Sequence, residues 1–159
     1  MCGIVGFTHK RWAPDSDRIR RATATLIHRG PDQQGVFQSS LCSMGATRLK
    51  IIDLGSGDQP ILSDDGDVAI VFNGEIYNHQ ELRRELEESG HHFYSHCDTE
   101  TVLRAFLEWD TGCFARLRGM FAMRSGRNQR SGSCSPGIEW ELSHCIWRGA
   151  ETICSSAPN

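Results

Sequence analysis

Apolar and polar positions alternate along the first three quarters of the chain in segments that end at glycine, proline or aspartate. Cys2–Thr8 is short, apolar and glycine-punctuated, the pattern of a buried strand. Asp15 or Ser16 can cap a helix whose Ile19, Ala22, Thr23, Leu26 and Ile27 share one face. Gly30-Pro31 within His28–Asp32 breaks both periods and marks a turn. Val36–Gln38, Cys42–Arg48 and Leu49–Asp53 read as strands, and Leu54–Gly66 as loop. Val68–Phe72 is an apolar run suited to a strand buried on both faces, and it ends in Asn73-Gly74, a strong turn signal. Asn78 can cap a helix from His79 to Ser89, with Leu82 and Leu86 four apart and Gly90 as its stop. Asp98 or Thr99 opens another, with Val102, Leu103, Phe106 and Leu107 inward and Gly112 beyond its end. Helix, strands and more helices predict an α+β layered sandwich.

Composition narrows the class. At 159 residues the chain suffices for one domain. A net charge of −3, spread along the sequence, gives no basic footprint for nucleic acid or a membrane surface. No apolar run approaches the roughly 18 residues of a spanning helix. The N-terminus lacks the basic and long apolar regions of a signal peptide. The expectation is a cytoplasmic protein with no nucleic-acid or membrane partner. Seven cysteines without CxxC spacing suggest neither a disulfide framework nor a zinc site, so no metal ligand is expected.

The tail differs. Residues 124–159 hold 7 of the 15 serines and 3 of the 7 cysteines, with no sustained period of 2 or 3.6, which reads as a disordered or foreign extension. Cys134, Cys145, Cys154 and His144 lack finger spacing.

The chemistry starts at Cys2. Removal of Met1 is expected before a small residue, and leaves thiol and α-amine on one carbon. An amine of pKa about 7.7–8.0 can act as base toward a thiol near 8.5. Taken alone, Cys2 also fits a small buried strand residue. Acyl transfer further needs oxyanion donors. Asn73-Gly74 offers a side-chain amide and a backbone N–H, though the pair also fits a plain hairpin turn. An amino-acid substrate needs a cation for its carboxylate and an anion for its ammonium. Arg48 can supply the first and Asp98 the second, but each alone also fits a surface charge or a helix cap.

Seven blocks then carry a resemblance: Met1–Phe7, His28–Gly35, Arg48–Asp53, Gln59-Pro60, Phe72–Asn78, Asp98-Thr99-Glu100 and Gly119–Ala122. In this order they resemble the glutaminase domain of class II, N-terminal-nucleophile glutamine amidotransferases, and within that class the glutamine-hydrolysing asparagine synthetases. The Arg-Gly-Pro-Asp and Asn-Gly-Glu-Ile-Tyr-Asn runs discriminate. The resemblance implies an Ntn-hydrolase-type four-layer αββα sandwich, incomplete at its C-terminal side. It implies Cys2 as nucleophile and Asn73 and Gly74 as oxyanion hole. Arg48 would bind the carboxylate of L-glutamine, Glu75 and Asp98 would hold its amine, and backbone around Ile51 and Ile52 would line the pocket. It implies no cofactor for this chain, with ATP and Mg2+ serving a synthetase domain that amidates aspartate, and a full-length parent compatible with a homodimer.

The resemblance covers residues 1–123. The family continues with Phe-Ala-Leu-Trp-Asp and, about ten residues on, Ala-Arg-Asp-Arg-x-Gly-x-Lys-Pro-Leu-Tyr. If the third base of each codon opens the next frame, Ser135–Ile146 can spell Ala-Arg-Asp-Arg-Met-Gly-Ile-Lys-Pro-Leu-Tyr, and Ala-Leu-Trp can follow Met123. The expectation is a partial domain over 2–123 and out-of-frame translation over 124–159. Such a product should leave sheet edges unpaired and apolar faces such as Val68–Phe72 uncovered. The alternatives to an active glutaminase are an inactive fragment of such a gene and a related amidotransferase with another acceptor.

Overall fold

The computed structural model describes residues 2–9, 13–50, 57–127 and 145–147. Strands β1 (Gly3–Thr8), β2 (Gln33–Gln38) and β3 (Cys42–Arg48) form one antiparallel sheet in the order β1-β3-β2, with Gly3 opposite Thr47 and Gln33 opposite Arg48. Strands β4 (Ile61–Leu62), β5 (Val68–Ile76), β6 (Gly119–Arg127) and β7 (Cys145–Trp147) form a second, in that order. Helix α1 (Ser16–Ala24) packs on the first sheet; α2 (His79–Glu88) and α3 (Asp98–Trp109) cover the second.

Period-2 alternation explains the layering. Val68, Ile70 and Phe72 of β5 point to the helices and meet Leu82, Leu86, Val102, Leu103 and Phe106. Each such buried side chain contributes roughly 1.5–3 kcal/mol. Ala69 and Val71 point the other way and meet Cys42, Met44 and Ala46 of β3. The outer face of β3 takes α1: Ile19 and Thr23 are buried, Thr23 Oγ1 donates to Ile19 O at 2.8 Å, and Thr47 Oγ1 donates to Leu26 O at 3.0 Å. The result is the expected α+β, αββα order. Among the described residues no helix is long and apolar enough to cross a membrane.

Several local expectations hold. The Asp15 carboxylate accepts from Asp17 N and Arg18 N and caps α1. Gly90, at φ +95°, stops α2, with its N–H donating to Glu87 O and His91 N–H to Leu86 O.

Others are corrected. Asn73-Gly74 is no hairpin turn: β5 runs through it to Ile76, with Asn73 opposite Ala122 and Gly74 opposite Phe121. Glycine is needed there for close approach, since a Cβ on Gly74 would stand 2.5 Å from Phe121 Cα. Asn78 occupies the N-cap position of α2 as expected but makes no side-chain cap bond; its side chain donates to Arg116 O and accepts from Arg118 N, tying α2 to the segment before β6. Helix α3 opens at Asp98 as expected, but Asp98 is its first helical residue and not its cap, a position that Cys97 occupies. Helix α1 ends at Ala24, so Leu26 and Ile27 lie beyond it, with Ile27 exposed in a 3-10 turn. Leu49 and Lys50 are not strand, and residues 51–53 lie outside the described residues. Val68–Phe72 is neither unpaired nor uncovered, because β4 and β6 flank β5 and the run is buried. Strand β6 continues past residue 123 to Arg127, and Cys145–Trp147 pairs with it. The other tail residues lie outside the described set.

Candidate active site

Cys2 is half-buried and reduced, immediately before β1. Because Gly3 faces Thr47, Cys2 comes beside Arg48 at the end of β3. Ile4 packs into the layer between the sheets, so alternation turns Cys2 into that layer too. Gly3 keeps the strand close: a Cβ there would stand 2.7 Å from Thr47 Oγ1 and 2.9 Å from Leu26 Cβ.

Arg48 shares the inward parity of Met44 and Ala46 and is only 5% exposed, which removes the surface-charge reading. Its NH1 donates to Asp58 Oδ1 at 3.3 Å, and Lys50 Nζ approaches the same oxygen at 3.1 Å. Asn73 shares the inward parity of Ala69 and Val71. The two sheets are aligned so that these ends coincide. Gly126 pairs with Ala69, and a Cβ on Gly126 would stand 2.7 Å from Cys42 Sγ and 3.0 Å from Met44 Cε. Cys42 and Met44 therefore lie over the Ala69 end of β5, and Arg48 over the Asn73 end. Register and alternation therefore put Cys2 and Arg48 at the end of the first sheet that lies toward Asn73 of β5, all three at inward-facing positions.

The edge of β5 supplies the donors. Its even-numbered N–H groups point toward β4: Val68 N donates to Ser63 Oγ at 2.9 Å, and Phe72 N to Gln59 Oε1 at 2.7 Å. Ile76 N donates to Asp98 Oδ2 at 3.0 Å. Alternation therefore directs Gly74 N–H out of this edge, between Gln59 and Asp98, beyond the last β4 pairing at Ile61–Ile70. Asn73 Oδ1 is buried without a hydrogen-bond partner among the described residues. An unmet buried acceptor is costly unless a ligand or neighbouring N–H fills it.

Asp98 closes the site from the helix side. Burial pushes its carboxyl pKa up and nearby Glu75 adds to this, while the Ile76 N–H and His79 oppose it. Glu75 itself is exposed. Gly57, at φ +78°, joins the two halves: a Cβ there would stand 3.0 Å from both Arg48 NH2 and Cys97 Sγ. The Arg48 guanidinium and the residue before Asp98 thus flank one glycine. Ile51 and Ile52 lie outside the described residues.

Gln59 goes further than its place in a loop-rich segment suggested. Its backbone N accepts no role in a strand but donates to Gln33 Oε1 at 3.2 Å, its O accepts from Gln33 Nε2 at 2.7 Å, and its side chain finishes the β5 edge where β4 stops. Gln59-Pro60 stands among the blocks that carry the resemblance, but no local pattern points to its hydrogen bonds with Gln33 and β5. Arg104 was not anticipated: it is buried and donates to both Asp64 carboxylate oxygens at 2.9 Å.

These residues sit on an αββα sandwich, with a half-buried thiol and a buried guanidinium on one sheet and an asparagine–glycine strand edge on the other. Residues 1–131 match the glutamine amidotransferase domain model, and the chain belongs to that family. Asparagine synthetase [glutamine-hydrolyzing] 1 of Bacillus subtilis is 40% identical over 126 residues, covering 77% of this chain and 20% of that protein. The nodule asparagine synthetase [glutamine-hydrolyzing] of Pisum sativum is 35% identical over 162 aligned positions, covering 95% of this chain and 27% of that protein. The chain thus spans about a quarter or less of the length of the curated relatives it matches. Among solved structures, the glutamine PRPP amidotransferase of B. subtilis superimposes with a TM-score of 0.60 at 18% identity, over 79% of this chain and 34% of that one. The two share the αββα layering.

Proposed function

We propose that this chain is the glutamine-hydrolysing part of an asparagine synthetase. With Met1 removed, the Cys2 α-amine takes the thiol proton and Sγ attacks the side-chain amide carbon of L-glutamine. Nδ2 of Asn73 and N–H of Gly74 donate to the oxyanion, each donor worth about 2.7–4 kcal/mol of barrier. The amine returns the proton to the leaving nitrogen and ammonia departs, leaving a glutamyl thioester. Water then attacks the thioester, giving glutamate and the free thiol. The Arg48 fork takes the substrate α-carboxylate; Asp98 and Glu75 take its ammonium, with backbone near Ile51 and Ile52 lining the pocket. ATP and Mg2+ belong to the amidation of aspartate in a synthetase domain, and no residue of this chain is assigned to them. What supports the reading is the register that puts Cys2 beside Arg48 on inward-facing positions of one sheet, with Asn73-Gly74 on the β5 edge of the other. The test is ammonia release from L-glutamine with a Cys2→Ala control and mass analysis of the N-terminus. Ammonia release that survives C2A, or a retained Met1, sinks the mechanism.

A second proposal concerns residues 124–159, read as out-of-frame translation. Arg124 favours it. Alternation places Arg124 with Gly126 on the inter-sheet face of β6, where NH1 donates to Gly6 O at 2.6 Å and meets no carboxylate among the described residues. Burial disfavours its charged form. The third-base frame allows alanine at this position. Nucleotide sequencing across codons 120–130 decides: a base missing near codon 123 supports the proposal, and an intact frame overturns it.

A further inference from the structure

Asp98 is useful to a glutamine site only if its carboxylate is held against the β5 edge, and Asp98 follows directly on the irregular segment between α2 and α3. That segment is anchored mainly by one buried acid. Glu100, 2% exposed, accepts from Tyr94 N at 3.0 Å, Ser95 N at 2.7 Å and Ser95 Oγ at 2.6 Å. Ser95 Oγ in turn accepts from Cys97 N at 3.4 Å and lies 3.0 Å from Cys97 Sγ. An ordinary capping box would send the third helical residue back to the cap N–H. Here the glutamate reaches two and three residues further, and a serine hydroxyl relays it to the cap. Arg104, one turn along α3, meets Glu100 at 3.4 Å and pins Asp64 with its other donors. From α2, Arg83 NH1 donates to Ser95 O at 2.6 Å and its guanidinium lies 4.4 Å over the Phe93 ring.

We propose that Glu100 is a positioning residue for substrate-ammonium recognition, resting on the glutaminase reading: it fixes Tyr94–Cys97 and thereby sets Asp98 at the β5 edge. It touches no substrate atom. Its removal should impair recognition of an amino-acid ligand while leaving the thiol itself as reactive as before.

The test compares two alkylating agents on the 159-residue protein. 6-Diazo-5-oxo-L-norleucine must be recognised through its α-amine before it labels Cys2, whereas iodoacetamide reports thiol reactivity alone. Glu100→Gln should slow labelling by the diazoketone about tenfold, the effect of leaving a buried donor unmet, and leave the iodoacetamide rate unchanged. In an Asp98→Asn background, E100Q should add no further loss. Equal slowing with both agents, or no slowing with either, overturns the proposal. If the diazoketone fails to label Cys2 of the unaltered protein, the glutaminase reading itself falls; if it labels that protein and E100Q alike, only the positioning role falls. Should E100Q lose its cooperative melt, Ser95→Ala, which removes only the relaying hydroxyl, carries the same test with the same required split.

Discussion

Gly74→Ala separates the packing role of the β5 edge from its chemical one. A Cβ on Gly74 would collide with Met120 O and stand 2.5 Å from Phe121 Cα and Cβ, and ordinary contact begins at 3.4 Å. All three obstacles are on the paired strand, so β5 must move away from β6 by about 1 Å, and the Gly74 N–H moves with it. An oxyanion donor works at about 2.7–3.1 Å, and a 1 Å misplacement costs on the order of 100-fold in rate. Overpacking adds about 1–3 kcal/mol of instability. The expected result is a kcat for ammonia release down about 100-fold, a glutamine KM within about threefold, and a Tm lower by several degrees. Gly45→Ala is the control. Its Cβ would collide with Thr23 Oγ1 and stand 3.2 Å from Thr23 Cβ, against α1 on the far side of the first sheet. It should lower Tm similarly and spare kcat. Ammonia release would be followed by coupled glutamate dehydrogenase, at a temperature where both variants are folded. A G74A enzyme with unchanged kcat and lowered Tm would refute the assignment of this N–H to the oxyanion.

Three further outcomes are expected. Ammonium binding needs ionised Asp98, whose pKa is raised chiefly by burial, so glutamine KM should climb as pH falls through a point above the usual carboxylate range, and Asp98→Asn should abolish that limb. The folded pKa lies above the unfolded one, so this group's stabilising contribution is present at low pH and lost as pH rises; D98N should therefore melt no lower than the unaltered protein at pH 7, and a clear drop would contradict the raised pKa. Arg104→Ala strands the buried Glu100 carboxylate and should cost about 3–5 kcal/mol by denaturant titration, whereas Asp64→Ala, whose side chain is half-exposed, should cost far less; equal losses would deny Glu100 its dependence on Arg104. Arg124→Leu replaces a desolvated cation between the sheets and should raise Tm at pH 7 by a few degrees; a lower Tm would show the guanidinium to be a net stabiliser there.

The linear pattern determined the three helices, the strands β1 and β3 and the two-sided burial of β5. Val68–Phe72 had to be covered on both faces because every side chain in it is apolar, and the helical spacing of Leu82 with Leu86 and of Val102 with Phe106 named what would cover one of them. The chemical vocabulary was also legible: a cysteine next to the initiator, an asparagine–glycine pair, an arginine and an aspartate in fixed order. What local pattern could not resolve was the role of groups whose meaning depends on a distant strand. Asn73-Gly74 has the composition of a turn, and only its pairing with Ala122 and Phe121, nearly fifty residues away, makes it strand and turns its N–H to the open edge. Asn78 and Asp98 have the composition of helix caps, yet each spends its side chain on the backbone of a distant segment, Arg118 and Ile76, because tertiary packing brings those N–H groups within reach. Arg48 is indistinguishable from a surface charge until the first sheet lies on the second and takes it out of water. Propensity and period act over a few residues and so can be read along the chain; the active site is a product of sheet alignment, which is decided by contacts between segments that the order of residues leaves far apart.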